Sequence, residues 1–181
     1  MNKSRRHIVV YGPTGSGKST LAGKLSKLTG VPHIELDAIF WKPGWVEKPI
    51  DEFRTDVSAA LARCADGWVC DGNYSKVRDL ILPLADTIVW WNPPFRVAFW
   101  RLLKRTVTRC QEGKILWGTN RETWRQNFFS RDSLILYQVT HWRKYGRIGK
   151  TLEEIPHRAV VIRLRSQKEV DAFLSEMAGG T

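Results

Sequence analysis

Apolar residues along this chain gather into five short runs separated by stretches of helical period. His7-Ile8-Val9-Val10-Tyr11, Val31-Pro32-His33-Ile34-Glu35-Leu36, Trp68-Val69-Cys70, Thr87-Ile88-Val89-Trp90-Trp91 and Ala159-Val160-Val161-Ile162-Arg163-Leu164 are short, β-branched or aromatic. Each predicts a strand. The run at 87–91 is continuous in its apolar character, which predicts a strand covered on both faces. Between the runs, residues 19–28, 51–64, 75–82, 95–108, 124–145 and 168–177 predict helices. Within 51–64 the residues Phe53, Val57, Ala60, Leu61 and Cys64 recur at helical spacing, and Phe95, Phe99, Leu102 and Thr106 do so within 95–108. Thr29-Gly30 ends the first helix, Pro83 closes the short helix 75–82, and Gly146 and Gly149 end the long helix. Residues 111–123 hold Gly113, Gly118 and Asn120 without a period and predict a mobile loop, and 38–45 predict an aromatic loop bounded by Pro43 and Gly44. The tail Ala178-Gly179-Gly180-Thr181 is expected to fray.

Five strands alternating with helices predict a three-layer α/β fold around a five-stranded parallel sheet. Such sheets take their ligands at the carboxyl ends of the strands. A length of 181 residues predicts one domain, 1–181. No apolar run reaches the ~20 residues that span a bilayer. The basic start, Met1 to Arg6, leads into a strand and not a signal sequence, so a cytoplasmic location without membrane attachment is expected. Cys64, Cys70 and Cys110 are odd in number, lack zinc-type pairing and read as reduced thiols.

The chemistry starts directly after the first strand. Gly12-Pro13-Thr14-Gly15-Ser16-Gly17-Lys18-Ser19-Thr20 fits G-x-x-x-x-G-K-[ST], followed by a helix. The glycines let successive N–H groups turn toward an anion, and the helix N-terminus adds a favourable dipole. Lys18 brings a positive charge to the β/γ-phosphates, and the Ser19 hydroxyl ligates Mg²⁺. The chain is therefore expected to bind ATP with Mg²⁺ through Gly12, Thr14, Gly15, Ser16, Gly17, Lys18, Ser19 and Thr20. Asp37 and Asp71 each follow a predicted strand, Asp71 as a magnesium partner or a turn residue. Trp41 and Trp45 read as substrate contacts or as packing.

Charge adds a second theme. Of a formal net charge of +11, residues 94–150 carry +10, with thirteen Lys or Arg and three Asp or Glu. Such a block suits polyphosphate, nucleic acid or a solvated face. Arg101, Arg105 and Arg109 recur every four residues along one helix stripe. Like charges so aligned repel, and an anion facing them would offset the cost.

This order of elements resembles the nucleoside-monophosphate-kinase (adenylate-kinase-like) branch of P-loop kinases. More narrowly, Leu36-Asp37, Trp41-Lys42-Pro43-Gly44-Trp45, Asp71-Gly72-Asn73-Tyr74 and Ser130-Arg131-Asp132-Ser133-Leu134 resemble bacterial proteins labelled DNA-topology-modulation or adenylate-kinase-related. The resemblance implies an acceptor-binding segment at about 37–66 and an arginine-bearing lid at about 109–127. It implies catalytic roles for Lys18, Asp37, Arg101, Arg105, Arg109 and Arg121, magnesium at Ser19 and Asp71, and substrate contacts at Asp37, Trp41, Trp45, Asn73, Tyr74 and Arg78. Adenylate kinases carry Asp-Gly-Phe-Pro-Arg after strand three, whereas here Asp71-Gly72 runs into Asn73-Tyr74-Ser75. That departure speaks against AMP as acceptor. In shikimate and gluconate kinases of this branch an aspartate after strand two meets the substrate hydroxyl, and Asp37 stands at that position, or in a structural turn. The expected function is Mg-ATP-dependent phosphotransfer to a nucleotide or hydroxylated metabolite. The rival is a nucleic-acid-associated regulator that uses ATP as a switch.

Overall fold

The computed structural model describes residues 5–130, 133–145, 155 and 157–179. Arg131 and Asp132 of the serine-flanked motif, the side chains of Arg143 and Tyr145, Gly146 and Gly149, and the last two residues of the tail lie outside that description.

The five apolar runs form one parallel sheet. Its strands are β1 (His7–Tyr11), β2 (His33–Glu35), β5 (Trp68–Asp71), β6 (Thr87–Trp91) and β9 (Val160–Leu164), in the order β2-β5-β1-β6-β9. Alternate residues of a strand face opposite ways, and both sets are apolar here. Val9, Tyr11, Cys70, Ile88 and Trp90 meet α3 (Ile50–Arg63) and α4 (Arg78–Ile81) through Phe53, Val57 and Ile81. Ile8, Val10, Val69, Val89 and Trp91 meet α1 (Lys18–Thr29) and α8 (Gln167–Gly179) through Leu21, Leu25, Val170 and Phe173. Two cores thus sandwich the sheet. Chain order reverses around central β1, so the loop leaving its carboxyl end opens at the switch point where ligands bind.

Five expectations are corrected. The second strand stops at Glu35, and Asp37 lies in the first turn of α2 (Leu36–Phe40). The reason is packing: Leu36 turns under Gly72 and is buried, and a Cβ on Gly72 would lie 2.7 Å from it. The aromatic loop is instead α2 followed by a hairpin of β3 (Trp41–Lys42) and β4 (Val46–Glu47) around Pro43–Trp45. The long helix is two, α6 (Trp124–Phe129) and α7 (Leu134–Tyr145), because Ser130 is extended and Ser133 starts a new helix. The Ser133 hydroxyl accepts from the Leu136 amide at 3.3 Å, as an N-cap does. Helix α5 (Phe95–Glu112) runs a turn beyond expectation. The segment after it contains a second hairpin, β7 (Ile115–Leu116) with β8 (Asn120–Arg121). Among the described residues no helix is long and apolar enough to cross a membrane.

Candidate active site

The loop after β1 takes its shape from glycines and from three distant elements. Gly15 and Gly17 hold φ of +73° and +94°, a region L side chains rarely adopt. A Cβ on Gly15 would collide with Leu102 and the Ala98 carbonyl of α5. From β6, the Trp91 indole N–H donates to the Ser16 carbonyl at 2.7 Å. From α5, Arg101 donates to the same oxygen at 2.9 Å. From α7, the Gln138 amide donates to the Thr14 carbonyl at 2.9 Å. Asn73 closes the near side: its amide nitrogen donates to the Gly12 carbonyl at 2.5 Å, and its oxygen faces the Gly12 N–H at 3.4 Å. Carbonyls tied outward in this way leave the N–H groups and the amino end of α1 for an anion.

Asp71, at the end of β5, is 2% exposed and accepts from the Ser19 hydroxyl at 2.5 Å. Its other oxygen meets His33 Nε2 at 3.0 Å, and this bond raises the His33 pKa above its ordinary value against the opposing effect of burial. Hydroxyl and carboxylate together are hard oxygen donors. Among the described residues no group of three or more His, Cys, Asp or Glu could hold a metal. That donor set fits Mg²⁺, which binds one or two carboxylates and leaves its remaining positions to water and phosphate.

The loop after β1 and the stretch 35–47 open into one cavity of about 1350 Å³. A single-ligand cleft spans roughly 300–1,000 Å³, so this one has room for two reactants. At its far end Asp37 accepts from the Tyr74 hydroxyl at 2.7 Å, while Oδ2 takes no protein donor among the described residues. Burial and the Asp37 carboxylate hold the Tyr74 proton firmly. Glu35 stands nearby; burial pushes its pKa up, opposed by a hydrogen bond from Trp117. Trp41, Trp45 and Trp117 stand edge to face with centroids 5.5 and 5.7 Å apart. Asn120 fastens the two hairpins: its oxygen accepts from the Trp45 amide at 2.8 Å, and its nitrogen donates to the Lys42 carbonyl at 3.1 Å. The Trp45 indole N–H donates to the Arg121 carbonyl at 2.9 Å.

The arginine stripe divides into three different roles. Arg101 braces the phosphate loop and reaches Gln167. Arg109 pairs with buried Glu122 at 2.7 Å. Arg105 makes no ion pair among the described residues; burial first, then Arg109, lowers its pKa, opposed by Glu122, Asp37 and Glu35. All three line the cavity, as do Thr14, Gly15, Gly17, Lys18, Ser19, Thr20, Asp37, Trp41, Trp45, Asn73 and Tyr74. Gly12 and Ser16 lie behind the loop, a Cβ on Gly12 falling 2.6 Å from the Trp91 carbonyl. Arg78 lies over the buried Tyr11 ring, and Arg121 is exposed; neither lines the cavity. Sequence reasoning missed His33, Glu35, Trp117, Asn120, Glu122 and Gln138. Only Glu35 carried a signal, two residues before Asp37 on the same strand approach.

No family model matches the chain. Its fold is similar to that of a shikimate kinase from Bacteroides thetaiotaomicron, at 17% identity over 95% of this chain and 96% of that one, with a TM-score of 0.50. It is also similar to that of a sugar kinase from a Janibacter species, at 19% identity over 97% and 96%, with a TM-score of 0.52. The architecture is one that these two kinases share.

Proposed function

We propose that this chain is a Mg-ATP-dependent phosphotransferase acting on the hydroxyl of a small acceptor. One observation carries the reading: a phosphate loop and Asp37, a carboxylate with one oxygen uncommitted among the described residues, open into the same cavity. Transfer to a phosphate needs no general base, because the acceptor oxygen is already anionic, whereas a hydroxyl benefits from a positioned carboxylate. Two proteins of similar fold are named as a shikimate kinase and a sugar kinase, which accords with a small acceptor.

In this reading the loop amides and Lys18 hold the triphosphate. Ser19 and Asp71 hold the magnesium, whose charge offsets that of the phosphates when bound. Asp37 takes the proton of the acceptor hydroxyl while that oxygen bonds the terminal phosphorus. The bond from phosphorus to the bridging oxygen breaks, ADP leaves, and the proton passes to solvent. Arg105, near both Asp37 and Glu35, stabilises charge on the transferring group. Tyr74 orients Asp37. The test is ADP formation with Mg²⁺ against nucleoside monophosphates, nucleosides, sugars and small acids. Acceptor-dependent turnover is expected. Slow ADP release that no acceptor stimulates would overturn the reading in favour of a nucleic-acid-bound switch.

A further inference from the structure

We infer that the acceptor is a small polyhydroxylated compound that carries no phosphate or carboxylate, neutral or amine-bearing, seated against the tryptophan wall with hydroxyls on Asp37 and Glu35. The inference rests on the phosphotransfer reading and narrows its acceptor.

Charge along the cavity is segregated. The phosphate end is lined by Lys18 and Arg101, and Lys24 lines the cavity further along α1. The far end is lined by Glu35, Asp37 and Glu47, with Arg105 as their cationic neighbour; Arg109 and Glu122 neutralise each other at 2.7 Å. Carboxylates are therefore in surplus where the acceptor sits. In the phosphotransfer reading Arg105 is taken by the transferring phosphoryl group, so it is not left over for an anion on the acceptor. A phosphate or carboxylate on the acceptor would meet like charge in a partly desolvated space. Hydroxyls and amines would instead donate to these oxygens.

The wall points the same way. Trp45 and Trp117 are the two non-glycine residues with positive φ among those described, at 61° and 46°, and their rings touch at 90°. Two bulky residues held in a left-handed conformation are strained, and such outliers persist at ligand clamps. Both indoles are half-buried, and their polar edges are engaged by the Arg121 carbonyl and by Glu35. What remains to a ligand is ring face, apolar and electron-rich. It accepts the C–H face of a sugar-like ring and attracts an ammonium group.

Two measurements on the full chain test this. In the first, ADP formation with Mg-ATP is compared for glucose, glucosamine, gluconate, glucuronate, a nucleoside and its monophosphate. Turnover with uncharged or amine-bearing members is expected, preferred by about 100-fold or more in kcat/KM over the anionic ones. In the second, quenching of tryptophan emission is titrated with glucosamine and gluconate at low salt. Quenching by glucosamine is expected, with none by gluconate until Glu35→Gln and Glu47→Gln are combined. Preference for an anionic acceptor in either measurement overturns the inference while leaving the phosphotransfer reading standing. If no probe stimulates turnover or quenches emission although Mg-ATP still raises the melting temperature, the phosphotransfer reading falls and takes the inference with it.

Discussion

The two ends of the cavity are made by different means. The phosphate end is a backbone device: glycines at φ +73° and +94°, a helix start, and carbonyls tied back by Trp91, Arg101 and Gln138. The acceptor end is a side-chain device, drawn from β2, α2, two hairpins and the segment after β5. Peptide N–H groups are the same in every sequence, so a backbone device works on any triphosphate and demands only a spacing of glycines. A side-chain device has freedom in every residue, and that freedom is where selectivity for one acceptor can be written.

The contrast can be broken by experiment. Lys18→Ala is expected to lower phosphotransfer by about 10³–10⁵-fold with every acceptor, since it removes charge from the transferring group itself. Turnover near normal would remove Lys18 from the chemistry. Gly15→Ala belongs with it: the new Cβ meets Leu102 and the Ala98 carbonyl from a left-handed residue. Thermal melts should then lose both roughly 2–4 kcal/mol of stability and the stabilisation given by Mg-ATP. At the other end Asp37→Asn is expected to cut kcat by about 10³-fold while ATP affinity stays put. A parallel loss of ATP binding would mean that the two ends are one unit.

Tyr74→Phe removes only the hydroxyl that orients Asp37, and a drop of about 10-fold in kcat is expected. An unchanged kcat would make that bond structural. The smallest effect sharpens the contrast through stability. Burial raises the Glu35 pKa above its ordinary 4.5, so its contribution to stability is whole below pH 4.5 and is lost as pH rises through the folded value. Melting temperatures of Glu35→Gln should match the parent at low pH and exceed it above that window. A gap that does not change with pH would mean that Glu35 is not strained by burial.

The same contrast explains which parts of the molecule are legible in its sequence. The loop, the five strands and Asp71 are local signals, each contained in a window of ten residues or fewer, and all are found there, the second strand cut short at Glu35. Asn73 followed Asp71 in sequence, yet its tie to Gly12 crosses 61 residues and leaves no mark in either window. Asn120 reads as a turn residue, but it is 1% exposed and clasps another hairpin 75 residues away. The regular spacing of Arg101, Arg105 and Arg109 suggested one shared task, whereas Ser16, Glu122 and Gln167 draw two of them apart. The break at Ser130 was legible in principle. Thr123 and Gln126 form a Thr-x-x-Gln start, and Ser133 heads its own helix, two caps within what looked like one period.

The outward ties of the phosphate loop also bear on when the site exists during biosynthesis. The loop leaves the ribosome well before the groups that shape it: Trp91 follows by 75 residues, Arg101 by 85 and Gln138 by 124. At about 5–20 residues per second, the last of these follows the loop by roughly 6–25 s. Through that interval the nascent chain carries the complete nucleotide signature without the complete nucleotide site. On the proposed reading, capture of ATP is then a late event in the life of the chain, and ATP would act as a ligand of the finished fold, not as a template for the growing one.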